Sequence, residues 1–463
     1  MNTHADRFER GLVVGGDRAV PVGEGRMLPY AGFDNAASTP PFTAVLEAVN
    51  RFAGWYGNVH RGTGFKSRLS SWAFDDARAT IAKFIGASPS DDVVLFTRNT
   101  TEALNHLAER QRRRGPSIIV TTAMEHHSND LPWRAAGRVV HAPVRSDGTV
   151  DEDVLRELLR RYAGEVSLLA ISGASNVTGV INPIHRWARW AHEAGAKIVV
   201  DAAQLVAHRP IDMRPHNDVE HLDFVAFSAH KMYAPFGVGV LAGSRAAFED
   251  GSPSEVGGGT VEIVGLERVA WASLPDREEA GTPCILGAIA LAEAIRVYHA
   301  LGWELIIARE LMLMDRALDR LARVPGITMY GPSHRTDRLG VIAFNLGQLP
   351  HALVSAILSQ EWAIGTRSGC FCAHPYVKSL LGIDEAAATA LERAILAGDR
   401  SAMPGAVRVS IGLSNALEEI DRLGDALEAI AAGRYRNEYR LDPEHGDYIS
   451  GSDDTSYADY VNS

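Results

Sequence analysis

Two apolar runs, each ending abruptly in polar residues, constrain this chain more than any other feature. Leu222-Asp223-Phe224-Val225-Ala226-Phe227 empties into Ser228-Ala229-His230-Lys231. The run reads as a buried strand, with Lys231 just beyond its carboxyl end. Burying an ammonium is costly. A lysine here either snorkels outward or pairs with an acid, or a lowered pKa frees its amine to form a Schiff base. Upstream, Ala196-Lys197-Ile198-Val199-Val200-Asp201-Ala202-Ala203-Gln204 repeats the pattern, with Asp201 at the strand end and Gln204 one turn on. Taken alone, Asp201 also reads as a helix cap.

An acid, an amide and a lysine at the ends of neighbouring parallel strands match the needs of pyridoxal 5'-phosphate. The carboxylate keeps the pyridinium nitrogen protonated, the amide bonds the phenolic oxygen, and the lysine takes the aldehyde. The paired motifs DAAQ (Asp201–Gln204) and SAHK (Ser228–Lys231) resemble the class V aminotransferase family of fold-type I pyridoxal-phosphate enzymes, in particular its group II cysteine desulfurase and selenocysteine lyase branch. The resemblance runs from about Phe33 to about Leu423.

Further short strands run into polar loops along the chain. Val93–Phe96 leads to Thr97-Arg98-Asn99-Thr100-Thr101 and a helix over 102–113. Free amides at a helix start make an anion site. Thr100 or Thr101 is expected to cap the helix, and the resemblance gives both to the cofactor phosphate. The strand 117–121 leads to Glu125-His126-His127-Ser128-Asn129. Adjacent loop histidines rarely chelate one ion unaided, and the resemblance makes His126 the residue that stacks on the cofactor ring and moves protons. The strand 166–171 empties into a loop holding Asn176, which the resemblance assigns to the phenolic oxygen and the substrate carboxylate. It also assigns Ser228 and His230 to the cofactor, and Thr282 in Glu279-Ala280-Gly281-Thr282-Pro283 to the phosphate of a neighbouring subunit. That last assignment implies a homodimer with shared active sites. His60 and Arg61 either border the substrate site, as the resemblance implies, or lie on a surface loop.

Strand and helix alternation predicts an α/β fold with a mostly parallel sheet, seven-stranded in type, and catalytic groups at the strands' carboxyl ends. The expected divisions are an irregular N-terminal arm (1–32), a large cofactor-binding domain (33–301), a smaller α+β domain (302–433) and an acidic, flexible tail (434–463). In the smaller domain Arg408 interrupts the apolar strand Ala406–Ile411. It forms either a structural ion pair or, as the resemblance implies, the seat of an amino-acid α-carboxylate.

Arg367-Ser368-Gly369-Cys370-Phe371-Cys372-Ala373-His374-Pro375 is similar to the nucleophile loop of group II desulfurases, with Cys372 at the nucleophile's position. The implied reaction takes L-cysteine to L-alanine. Lys231 removes the α-proton, the Cys372 thiolate attacks the substrate sulfur, and the resulting persulfide passes to an acceptor protein. Only a thiolate attacks, so Arg367 or a nearby histidine is expected to favour it. Cys370 departs from the usual pattern. The Gly-Cys-Phe-Cys run also resembles the desulfurase domain of molybdenum-cofactor sulfurases. Cys370 relays the persulfide, forms a redox pair with Cys372, or is a small buried hydrophobe. Two further readings stay open: another class V reaction (transamination, epimerisation, or carbon–carbon or carbon–sulfur lysis of a different amino acid), and an inactive scaffold of the same fold.

The 463 residues suffice for a large and a small domain. A net charge of −11 argues against a general nucleic-acid binder or an anionic-membrane partner. No signal peptide or membrane span is visible, so a cytoplasmic location is expected. Cys284, Cys370 and Cys372 make neither a disulfide framework nor a paired zinc motif, and no metal site is expected.

Overall fold

Seven strands build the central sheet of the computed structural model, which describes residues 8, 10–23, 25–60, 62–332, 338–436, 438–451 and 457–461. In chain order they are β1 (Asp92–Thr97), β2 (Ile118–Thr122), β3 (Arg138–Ala142), β4 (Val166–Ser172), β5 (Lys197–Asp201), β6 (Phe224–Ser228) and β7 (Gly239–Ser244). In space the order is β1-β7-β6-β5-β4-β2-β3. Every pairing from β6 across to β3 is parallel, while β7 is antiparallel to both its neighbours. The sheet is apolar on both faces. Val94, Val120, Val200 and Val225 pack into one core, and Val93, Ile119, Val199 and Phe224 into the other. Successive side chains point to opposite faces, so strands covered on both sides must read as unbroken apolar runs. That is why the runs were visible in the sequence.

Among the helices are α1 (Thr43–Ala53), α2 (Phe65–Phe84), α3 (Thr100–Arg113), α4 (Ile184–Glu193), α5 (Ile285–Leu301), α6 (Trp303–Leu321), α7 (His351–Trp362) and α8 (Leu417–Ala431). At Gly302, whose φ is 81°, the chain turns 82° from α5 into α6. Among the described residues no single helix is long and apolar enough to cross a membrane.

A second, antiparallel sheet follows in the order β8-β9-β11-β10, from β8 (Ile327–Tyr330), β9 (Val341–Leu346), β10 (Arg367–Gly369) and β11 (Ala406–Ser410). Its core joins Ile342, Phe344, Val407 and Val409 to Leu313 of α6 and Leu427 of α8. Ala31 and Phe33 belong to this core as well, and Ala31–Gly32 pairs with Ile364–Gly365.

Both chain ends differ from the sequence expectation. The N-terminal arm is not irregular: Ala19–Val22 and Arg26–Pro29 form an antiparallel hairpin, and Gly23 N–H donates to the Gln360 carbonyl at 3.0 Å. The acidic tail holds a second hairpin, β12 (Tyr439–Asp442) with β13 (Asp447–Ser450). The Glu361 carboxylate on α7 anchors it, accepting from Arg436 N–H at 2.9 Å and the Tyr439 hydroxyl at 3.2 Å. A short hairpin tied down by an acid on a distant helix leaves little local pattern to read in the sequence.

Candidate active site

The carboxyl ends of β4, β5 and β6 open onto one cleft of about 270 Å³, in which Lys231, Asp201, His126, Asn176, Gln204, Arg408 and Cys372 all take part. Register explains the gathering. Ser172, the last residue of β4, pairs with Asp201, the last of β5, and Asp201 pairs with Ala226. β6 then runs two residues further and turns through Ala229–Lys231.

Lys231 is pushed down to about 8. Burial is the largest cause, the nearby Asp201 carboxylate opposes it, and Arg408 adds to it. Asp201 is itself buried, and burial pushes its carboxyl up against the opposing Ala203 N–H and Lys231. One of its oxygens accepts from Ala203 N–H at 2.9 Å. His126 is pushed down to about 3, first by burial and then by Lys231, so its ring is neutral. Its Nδ1 accepts the Ser128 main-chain N–H at 3.1 Å, which leaves the proton on Nε2. His230 falls to about 4 through burial and then Lys231, and its carbonyl accepts from Thr39 N–H at 2.9 Å. The Gln204 amide donates to the Ala36 carbonyl at 2.7 Å.

One expectation about the α3 terminus is corrected. Neither Thr100 nor Thr101 caps the helix. Asn99 does, its side-chain oxygen accepting Glu102 N–H at 2.9 Å. Asn99 reaches the extended backbone a cap needs, and this frees both threonines. Thr100 N–H donates to the Ser228 hydroxyl at 2.7 Å, and the two hydroxyls lie 2.6 Å apart. The Thr101 hydroxyl lies 2.7 Å from that of Ser128. A Cβ on Gly239 would sit 2.5 Å from the Asn99 Cα, so only glycine lets β7 approach this terminus.

Arg408 is 2% exposed at the middle of β11. It donates to Asp34 Oδ1 at 2.7 Å and to the Asn176 carbonyl at 3.0 Å, and lies 5.0 Å from the centre of the Phe371 ring. Among the described residues its Nε has no hydrogen-bond partner. Asp34 also contacts Arg367 at 3.4 Å. No local motif in the sequence signals a role for Asp34 or for Glu125. The buried Glu125 carboxylate accepts from Thr122, Ser172 and Asn129, each at 2.6 Å, and burial pushes it up to about 7. Its place between two histidines and a strand end was the available signal.

The cysteine loop follows β10. Phe371 and Cys372 both hold positive φ, 53° and 54°, a conformation that costs non-glycine residues energy and clusters at functional sites. The Asn176 amide donates to the Phe371 carbonyl at 2.8 Å and His127 N–H to the Cys372 carbonyl at 2.7 Å. Cys372 is exposed to the cleft. Cys370 is buried, its thiol donating to the Pro404 carbonyl at 2.9 Å, and burial pushes it up to about 11. Of the three roles weighed for it, the small buried residue fits these surroundings.

Two expected site residues lie elsewhere within the chain. His60 and Thr282 line a separate cleft with Asn58, Gly258 and Gly259. The Thr282 segment is anchored by Glu279, which accepts both arms of Arg78 at 2.7 and 2.9 Å. Arg61 lies outside the described residues.

Fold and site together define a fold-type I α/β enzyme with a lysine and an exposed cysteine in one cleft. The chain belongs to the aminotransferase class-V family, whose model matches residues 32–423; the family works through pyridoxal phosphate. It is 36% identical over 410 residues to a probable cysteine desulfurase of Halalkalibacterium halodurans, covering 86% of this chain and 93% of that protein. It is 35% identical over 426 residues to a cysteine desulfurase of Haloferax volcanii, covering 90% and 93%. Among solved structures, the apo cysteine desulfurase of Thermococcus onnurineus superposes with a TM-score of 0.77 at 31% identity, covering 87% of this chain and 95% of that one. The S-sulfonic acid form of the Escherichia coli cysteine desulfurase CsdA gives 0.73 at 29%, covering 88% and 96%.

Proposed function

We propose that the protein is a cysteine desulfurase that binds pyridoxal phosphate, converts L-cysteine to L-alanine and hands the sulfur to an acceptor protein. The observation that carries this is the presence of Lys231, Arg408 and Cys372 on the walls of one cleft.

The residues fit the cofactor. Asp201 is a buried carboxylate with no ion pair to a protein cation among the described residues, and a protonated ring nitrogen supplies the missing partner. The amide end of α3, with Thr100, Thr101 and Ser228, suits the phosphate. Gln204 and Asn176 suit the phenolic oxygen, and the neutral His126 ring suits the ring face. When bound, the cofactor supplies an electron sink that acidifies the substrate's α-carbon.

The protein's own groups do the rest. At pH 7 about a tenth of the Lys231 side chains are unprotonated, so this amine is available both to attack an aldehyde and to accept the α-proton. Arg408 and Asn176 orient the substrate carboxylate, which displaces Asp34 from the guanidinium. Cys372 attacks the substrate sulfur: an S–S bond forms, the Cβ–S bond breaks, and the carbon skeleton collects protons to leave as alanine. His126, which carries its proton on Nε2, is the donor at hand.

Thr282 and His60 line a cleft of their own, which supports a homodimer in which each chain lends that edge to its partner's site.

The test is alanine and sulfide release from L-cysteine in the presence of a reductant. Cys372→Ala is expected to abolish it and Cys370→Ala to leave it. A yellow, cofactor-loaded wild type that leaves cysteine untouched, with or without an acceptor, moves the function to another amino acid.

A further inference from the structure

At the far end of β6 from Lys231, about 17 Å away along the strand, a second group of side chains converges. We propose that His192, His221 and Asp223 form a binding site for a divalent cation of the zinc class. The three residues come from the last turn of α4, the loop before β6 and the residue immediately preceding β6. Their donor atoms all lie within 4.8 Å of one another.

The hydrogen bonds fix the proton on each ring. His192 Nδ1 lies 2.8 Å from the Val219 carbonyl, and His221 Nδ1 lies 2.8 Å from the Asp218 carbonyl. A carbonyl only accepts, so both Nδ1 atoms carry hydrogen. Both Nε2 atoms then face the same carboxylate, at 2.9 Å from Oδ2 and 3.6 Å from Oδ1. A neutral ring protonated on Nδ1 presents a lone pair at Nε2, and a lone pair does not sit against a carboxylate oxygen unless a cation lies between.

That cation is either a second proton on each ring or one metal ion. Two protons make two imidazolium rings, stacked at 4.3 Å and 19°, beside the Lys197 ammonium 3.5 Å from Asp223 Oδ1. One divalent ion replaces the two protons charge for charge and leaves both rings neutral. A ligating imidazole whose other nitrogen donates to a backbone carbonyl is the usual outer arrangement of a metal site. Two imidazoles and one carboxylate suit zinc and its neighbours, not calcium or magnesium, which take oxygen ligands. Ile198 N–H, donating to Asp223 Oδ2 at 2.9 Å, fixes the carboxylate. The three side chains keep 20%, 15% and 7% exposure, enough for an ion to enter and hold water in a fourth position. Lys197 is the competing charge. His216 stacks on the outer face of His221 at 5.2 Å, but its Nε2 is held by Asp92 at 2.8 Å.

Titration of the cofactor-loaded enzyme with zinc chloride, followed by calorimetry, tests the site. Cys372→Ala removes the competing thiol in the cleft. In that background we expect one zinc site that weakens at least tenfold in both His192→Gln and His221→Gln and tightens in Lys197→Met. Equal zinc binding with and without His221→Gln overturns the proposal, as does no binding at about 100 μM zinc. If both histidine variants fail to fold, an unchanged affinity in Lys197→Met overturns it instead.

Discussion

The main-chain N–H of His127 holds the carbonyl of Cys372 at 2.7 Å, and the His127 ring accepts the His374 N–H at 3.3 Å. One residue thus grips the cysteine loop at two points just after the sulfur-bearing residue. The resemblance points to His126 of the pair, which lines the cleft. His127 instead positions the loop. His127→Ala keeps the main-chain bond and loses the ring contact. We expect sulfide release to fall about 10- to 100-fold with cofactor binding unchanged. Loss of the yellow colour together with activity would count against a positioning role.

A lysine held near 8 rather than at its ordinary 10.5 reacts early on the pH scale. Capture of pyridoxal phosphate by the cofactor-free enzyme is expected to quicken about tenfold from pH 6 to pH 7 and to level off above about 8. An ordinary surface lysine keeps accelerating beyond pH 10. Stopped-flow absorbance between pH 6 and 10 distinguishes the two.

Asp34 neutralises the buried Arg408 guanidinium at 2.7 Å, and it occupies the donors a substrate carboxylate needs. Asp34→Asn is expected to cost about 3 kcal/mol of stability, because it leaves a buried charge unpaired. The same change is expected to lower KM for cysteine, since the substrate becomes the missing counter-ion. A raised KM would mean that Asp34 orients the arginine for the substrate.

Glu125 holds its proton up to about pH 7 in the folded protein, against an ordinary value of 4.5. Between those values the native state binds a proton that the unfolded chain has released. Its contribution is therefore full below about pH 4.5 and is lost as pH rises to 7, a change of the order of 3 kcal/mol. Glu125→Gln is expected to flatten the stability curve across that window. An unchanged slope in denaturant titrations from pH 4.5 to 7.5 would show that the three donors keep the carboxylate ionised.

The sequence by itself determined the sheet and the lysine end of the site. A strand buried on both faces has to be apolar throughout, so Asp201, Ser228 and Lys231 stood out as polar residues at the limits of such runs. It also marked Arg408 as a charge inside an apolar strand, and the resemblance of its loop marked Cys372. Only the tertiary structure decided how they are partnered. Asp34 meets Arg408 across 374 residues, and no local pattern encodes a pairing between segments so far apart in the chain. The same holds for Cys370 and Cys372. They stand two residues apart in one loop, yet one faces the Pro404 carbonyl and the other the cleft. Their difference comes from backbone direction and burial, and these exist only once the chain is folded.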